Sequence, residues 1–212
     1  MTSIPLKPQY GPTLGKLLEP RWRSAAPGMR VLASALGVGL LALATVTVLS
    51  LLDAGYSHGG TVPFSFEYKG LYRTTPNPGG YVKVVRSSDG RLEESYAVAP
   101  LLLSHYRGDL TGELPLAASA YTRALAARFS GFRLEGEGKT RISSTLAGYD
   151  VLYSALIDGH KIYGRDVMLF PPRKGIREGV VVEMLSKEAA SISKPVASSG
   201  VLETPLKTFE FG

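Results

Sequence analysis

Three histidines, His58, His105 and His160, are the first residues that could do chemistry. None has a second His, Asp or Glu at metal-binding spacing such as H-E-x-x-H, and the chain has no cysteine. They read as solvated polar residues, and neither a metal nor a cofactor is expected. One G-x-S-x-G match runs from Gly55 to Gly59. A nucleophile elbow needs a strand before it and a helix after it. This match follows an apolar run and precedes a strand pattern, so it reads as linker. Ser143 and Ser144 have no base nearby. Gly138-Lys139-Thr140 ends like a phosphate loop, but Arg133 stands where the first glycine belongs; Gly136 and Gly138 open a G-x-G-x-x-G whose last position is Arg141. These matches, and the adhesion-like tripeptide Arg107-Gly108-Asp109, are chance, and no enzyme is expected.

The acids Asp150, Asp158 and Asp166 lie on or between two strand patterns. A loop centred on Asp158 makes Asp150 and Asp166 cross-strand partners; a two-residue turn at Asp158-Gly159 puts them on opposite faces. A close carboxyl pair could run acid–base chemistry if burial separated its pKa values. Solvent-facing positions are the expectation, because Asp is mostly exposed. Arg165, Arg173, Lys174 and Arg177 form a basic cluster that could meet an acidic partner or lipid headgroups. Tyr149, Tyr153 and Tyr163 would stand near the mouth of any apolar pocket under the strands. These seven are the candidate contacts.

What positions all of them is a segment elsewhere. Residues 31–52, VLASALGVGLLALATVTVLSLL, hold no charge, with Arg30 before and Asp53 after. At about 1.5 Å per residue the run makes a helix of roughly 33 Å, enough to cross a hydrocarbon core. The segment is apolar on every face, which argues against an ordinary core helix. Its length and the poor site in DAGYSHGG argue against a cleaved signal peptide. Lys7, Lys16, Arg21, Arg23 and Arg30 precede it against the single acid Glu19, and the next base is Lys69. The expected topology is therefore single-pass, with the N-terminus cytoplasmic and the C-terminal part outside the cell membrane. Ala33/Gly37 and Ala35/Gly39 are small-xxx-small pairs that could dimerise the span.

The formal charge of +6 is mostly this topology signal, since residues 54–212 carry nineteen bases against sixteen acids. No nucleic-acid partner is expected; the bases of the leader suit an anionic leaflet. Without cysteine the outer part must hold itself by its core, and its length suffices for one domain.

The domains expected are a disordered basic tail over 1–30, the span over 31–52, a linker over 53–60 and an α+β domain over 61–212. The linker is short, so the domain sits close to the membrane. Val62, Phe64, Phe66 and Tyr68 alternate with polar residues, a strand with one buried face. Strands over 81–86 and 92–98 meet at Asp89-Gly90, and 99–112 reads as loop. A helix runs from Pro115 to a cap at Gly131, with Ala117, Tyr121, Leu125 and Phe129 inward, Ala120 and Ala124 beside them, and Arg128 snorkelling out. Residues 132–144 are extended. Residues 149–157 and 161–170 form a hairpin about Asp158-Gly159. A strand over 180–185 follows, then loop and short helix, and a last strand over 206–211.

This order, with LPLAASAYTRALAARF, the Ala-Gly entry to LAGYDVLYSALIDGHKIYGRDVMLF and the final TFEF, resembles the PsbP-like fold. That fold is shared by the photosystem protein PsbP, the Ran-binding nucleotide-release factor and LpqN-type lipoproteins. The resemblance covers residues 62–212 and rests on no catalytic motif. It implies an antiparallel sheet with helices on its faces and members that mostly bind proteins. This chain differs from the lipoproteins in using a helix, not a lipid, as anchor. The function expected is a membrane-anchored accessory module binding a protein partner; the alternative is carriage of a lipid or small hydrophobic ligand.

Overall fold

The computed structural model describes residues 35, 36, 38, 39, 54–103, 110–142, 146–172 and 177–212. The chain divides into two units, Met1–Ser50 and Leu51–Gly212. In the first, the described positions Ala35, Leu36, Val38 and Gly39 are helical. The expected tail, and the rest of the expected span, lie outside the described residues. Among the described residues, no helix is long and apolar enough to cross a membrane.

The second unit is α+β and built on two antiparallel sheets. The larger is seven-stranded, in the order β3-β4-β5-β9-β8-β7-β6. Its strands are β3 (Tyr72–Thr74), β4 (Val82–Ser88), β5 (Arg91–Leu102), β6 (Ser130–Arg141), β7 (Ala147–Ile157), β8 (His160–Leu169) and β9 (Glu178–Ser186). The smaller, ordered β1-β2-β10, joins β1 (Ala54–His58), β2 (Phe64–Tyr68) and β10 (Glu210–Phe211). Turn chemistry sets two registers. Asp89-Gly90 and Asp158-Gly159 all have positive φ, 51°, 74°, 49° and 78°. That is the two-residue hairpin geometry Asp-Gly favours.

Several elements differ from the sequence expectation. Residues 54–58 are not linker: they form β1, Ala54 opposite Tyr68 and His58 opposite Phe64. Tyr56 explains this, since its ring packs within 6 Å of both Phe64 and Phe66. β5 runs on through Pro100 to Leu102 where a loop was expected. Its pairing with β4 stops at Val98, while its pairing with β9 continues to Glu178. Pro100 therefore sits where the strand has a neighbour on one side only, the place a missing N–H is tolerated. Residues 206–207 belong to a short helix, α2 (Glu203–Lys207), defined here with the longer α1 (Leu110–Arg128).

The large sheet is covered on both faces. One face meets the small sheet and the C-terminal segment, where Phe64, Phe66, Tyr96, Val98, Val167, Val182, Met184, Leu202 and Phe209 form one core. Tyr96 on a central strand donates to the carbonyl of Pro205, 3.1 Å, tying α2 to the sheet. The other face carries α1 and a second core of Ala118, Leu125, Tyr149, Val151, Tyr153, Ile162, Met168 and Val181. α1 begins five residues before Pro115. Glu113 in its first turn suits the helix dipole and pairs with Arg177 at 3.6 Å, which holds the extra turn. Ala118, not Ala120 or Ala124, completes the buried stripe. The edge strand β6 carries Arg133, Glu135, Glu137, Lys139 and Arg141 with two register shifts, features that discourage edge-to-edge pairing.

Tyr153 fills the second core only because residue 164 is glycine. A Cβ there would lie 2.1 Å from the Tyr153 ring, itself held between Phe129 and Phe132. Gly164→Ala therefore overpacks this core, and an unfolding titration of the full chain should show a loss of about 1–3 kcal/mol. An unchanged midpoint would mean that the ring has somewhere else to go.

Candidate functional site

The turn at Asp158-Gly159 pairs Ile157 with His160, so Asp150 faces Val167 and Asp166 faces Val151. Of the two arrangements open from the sequence, the one with the acids on opposite faces is formed. Asp150 meets Arg165 in a two-pronged ion pair, Nε to Oδ1 at 3.1 Å and Nη2 to Oδ2 at 2.9 Å. Arg165 also donates to the Val196 carbonyl at 3.3 Å and to Thr140 Oγ1 at 3.4 Å. It is 8% exposed. Far from an exposed contact, Arg165 ties the C-terminal loop to the hairpin.

Asp166 has no exposed surface at all, against the expectation for a sheet aspartate. It lies beneath α1, directly across from Glu183 on β9. Tyr121 reaches down from the helix between them, its hydroxyl 2.9 Å from Asp166 Oδ2 and 3.1 Å from Glu183 Oε1. Tyr153 donates to Asp166 Oδ1 at 3.4 Å, and Arg128 approaches Glu183 at 3.5 Å. Burial pushes the Asp166 pKa well above the usual carboxylate range; the charge of Glu183 adds to this, and the hydrogen bond from Tyr121 and the charge of Arg128 oppose it. Burial likewise raises Tyr121, helped by both acids. One phenol has one proton to give. The group is satisfied when protonated Asp166 donates to Tyr121 and Tyr121 donates to Glu183, with Arg128 at the outer end. No substrate atom can reach Asp166 unless α1 moves, so the arrangement as folded clamps the helix to the sheet.

The tyrosines expected at a pocket mouth are elsewhere. Tyr149 and Tyr153 are core, and Tyr163 is half-buried with Lys161 Nζ 4.9 Å above its ring. Arg177 is paired with Glu113, while Arg173 and Lys174 lie outside the described residues. The structure thus brings Tyr153 to Asp166 and separates Arg165 from Arg177. The hollow beside Tyr153, Tyr163 and Val196 is about 10 Å³, no more than one water needs. The apolar pocket expected there is not formed, because the Tyr153 ring fills one face and the C-terminal loop closes the other. Ser57 of the G-x-S-x-G match is on β1 opposite Ser65, and Gly138-Lys139-Thr140 is within β6. Neither has the strand–turn–helix setting its motif requires. His105, Ser143, Ser144 and Arg107-Gly108-Asp109 lie outside the described residues, among which no three metal-ligating side chains converge.

No family model matches the sequence, and no curated protein does. Among solved structures the chain is similar to the Ran-binding protein Mog1p of Saccharomyces cerevisiae, at 12% identity and a TM-score of 0.46. That match covers 76% of this chain and 96% of Mog1p. It is also similar to LpqN, involved in cell envelope biogenesis of Mycobacterium tuberculosis, at 9% identity and a TM-score of 0.49, over 75% of this chain and 91% of LpqN. The Ran-binding and LpqN-type proteins that the order of elements resembles are thus structural neighbours of this chain. These likenesses concern the fold alone.

Two larger open hollows lie among the described residues. A cleft of about 830 Å³ beside the small sheet is lined by Tyr56, Phe66, Phe209 and Phe211 among Ser57, Ser65, Glu67 and Glu210. A groove of about 690 Å³ separates the two Asp-Gly turns and carries Arg91, His160, Lys161 and Lys187 with Asp89, Glu93 and Asp158. Lys187 is paired with Glu93.

Asp166 links the clamp to pH. Its folded pKa exceeds the unfolded value of about 3.8, so its contribution to stability is full below that value and lost as pH rises toward the folded pKa. Each pKa unit of difference is worth about 1.4 kcal/mol. Asp166→Asn keeps the shape and cannot ionise. Unfolding midpoints measured from acid to mildly alkaline pH should decline less for the variant, which should equal or exceed the parent at neutral pH. A variant much weaker than the parent at neutral pH would mean that Asp166 is ionised in the fold.

Proposed function

We propose that the chain is a single-pass membrane protein that presents its α+β unit outside the cell to bind another protein, without catalysis of its own. Exposed leucines on the two sides of the large sheet carry the reading. Leu102 at the end of β5 is 76% exposed and Leu116 on α1 is 61% exposed. Between the ends of these elements the backbone N–H of Leu103 donates to the carbonyl of Arg177, whose side chain pairs with Glu113. Each exposed leucine has charged neighbours, Glu178 directly opposite Leu102 and Glu113 a turn before Leu116, and such sites suit a protein contact. Anchoring is supported by the uncharged run over 31–52 and the five bases that precede it. Small-xxx-small pairs in that run would allow a homodimer within the membrane.

Carriage of a lipid or small hydrophobic ligand is the second reading, and the cleft beside Phe66, Phe209 and Phe211 is the place for it. A photo-crosslinking residue at position 102 of the full-length protein in its membrane separates the two. The expected product is one dominant protein adduct, lost when Glu178→Arg, directly opposite Leu102 on β9, is added. Adducts to lipid alone, or to further copies of the chain alone, would count against a partner and favour carriage or self-association.

A further inference from the structure

We propose that the turn from Tyr68 to Arg73 rests in the headgroup layer of the bilayer, with Lys69, Tyr72 and Arg73 among the headgroups. This deepens the membrane-anchored reading and rests on it. The tether is the first reason. The apolar run ends at Leu52, and only Asp53 separates it from Ala54, where β1 begins. Two Cα steps reach at most about 7 Å. A headgroup layer is roughly 5–8 Å deep on each side of the hydrocarbon core. Ala54 therefore cannot leave that layer by more than a fraction of its depth. Ala54 is directly opposite Tyr68 in the β1–β2 ladder, about 5 Å away. Wherever the span ends, Tyr68 and the turn after it follow.

The second reason is what the turn presents. Gly70 has φ of 67°, reversing the chain, and Leu71 is 6% exposed and packed in the first core. Leu71 pins the turn so that its neighbours face outward. Lys69 and Arg73 are exposed, and Tyr72 is 69% exposed. The Arg73 guanidinium lies 5.0 Å over the Tyr56 ring, which leads its stem along the aromatic surface. Tyr with Lys and Arg is the side-chain set that settles at a membrane interface, rings at headgroup depth and cationic tips in water. Net charge does not drive the contact. Asp53 and Glu67 offset Lys69 and Arg73, and Glu203 on the adjoining α2 is paired with Lys207 at 2.6 Å. The interface chemistry therefore suits zwitterionic as well as anionic lipid.

The sheet registers supply a control. Tyr72 is opposite Val85, which is opposite Ser95 on β5. Leu102 is seven residues farther along that strand, roughly 23 Å away. The chain's single tryptophan, Trp22, is replaced by Phe, and Tyr72→Trp or Leu102→Trp is introduced into the full-length protein. Each is reconstituted in phosphatidylcholine vesicles with and without bromine on the acyl carbons near the ester. Tyr72→Trp is expected to give blue-shifted emission that is quenched in brominated vesicles, while the emission of Leu102→Trp stays the same in both. Lys69→Trp, in the same turn, should be quenched too. If Tyr72→Trp and Lys69→Trp respond no more than Leu102→Trp while alkaline washing leaves the protein in the vesicles, the contact is overturned and anchoring stands. If washing releases the protein, anchoring and the contact fall together.

Discussion

The two-residue turn at Asp158-Gly159 fixes most of what this unit can do. It pairs Ile157 with His160, and from that single match every later pair on β7 and β8 follows. A slip of one residue would exchange the faces of one strand relative to the other. Either Val151 and Tyr153 would leave the core beneath α1 and Asp150 be driven under the helix, or Met168 would leave it and Arg165 take its place. Asp and Gly at these two positions, with φ of 49° and 78°, are the residue types that hold the turn against that slip. The hairpin also places two acids in opposite environments. Asp150 obtains a guanidinium; Asp166 obtains two phenols and another acid.

The hairpin itself was legible in the sequence, as were the alternating β2, the Asp89-Gly90 turn and most of α1. Each is specified by local period or turn chemistry. The extents of β1 and β5 were not. β1 is five residues with a glycine and reads as linker; only the rings of Phe64 and Phe66 across the ladder make Tyr56 a strand residue. β5 passes through a proline, and nothing local says that its β4 side is vacant there. Both misses are tertiary overrides of local preference.

The buried acid was missed for a related reason. Aspartate on a strand is usually exposed, and a one-sided sheet would have kept Asp166 in water. This sheet has a layer on each face. A signal was present in β9, where Glu183 interrupts the apolar run Val180-Val181-Val182, and in β8, where Asp166 precedes Val167-Met168-Leu169. Acids inside runs of that kind mark strands covered on both faces. Their pairing across β8 and β9 needed the register, and their partner Tyr121 needed the helix. The expectation that Tyr121 faces inward was met, but from the sequence it was only a core aromatic.

What Tyr121 contributes goes beyond area buried. An apolar helix face can slide along an apolar sheet face at modest cost, since volume and pattern tolerate several packings. The polar group does not allow this. Asp166 and Glu183 share one phenol at 2.9 and 3.1 Å, and Tyr153 is the donor to Asp166 Oδ1. A helix displaced by one turn would bring Ala117 or Leu125, not Tyr121, over the two acids. Asp166 would then lose its main partner while staying buried, at a cost of several kcal/mol for a charged group and somewhat less for a protonated one. The acids thus weaken the fold as pH rises, yet select one seat for α1. That seat also fixes Glu113 against Arg177, and with it the positions of Leu116 and of the end of β5. The buried clamp and the exposed Leu116 are two ends of one helix placement.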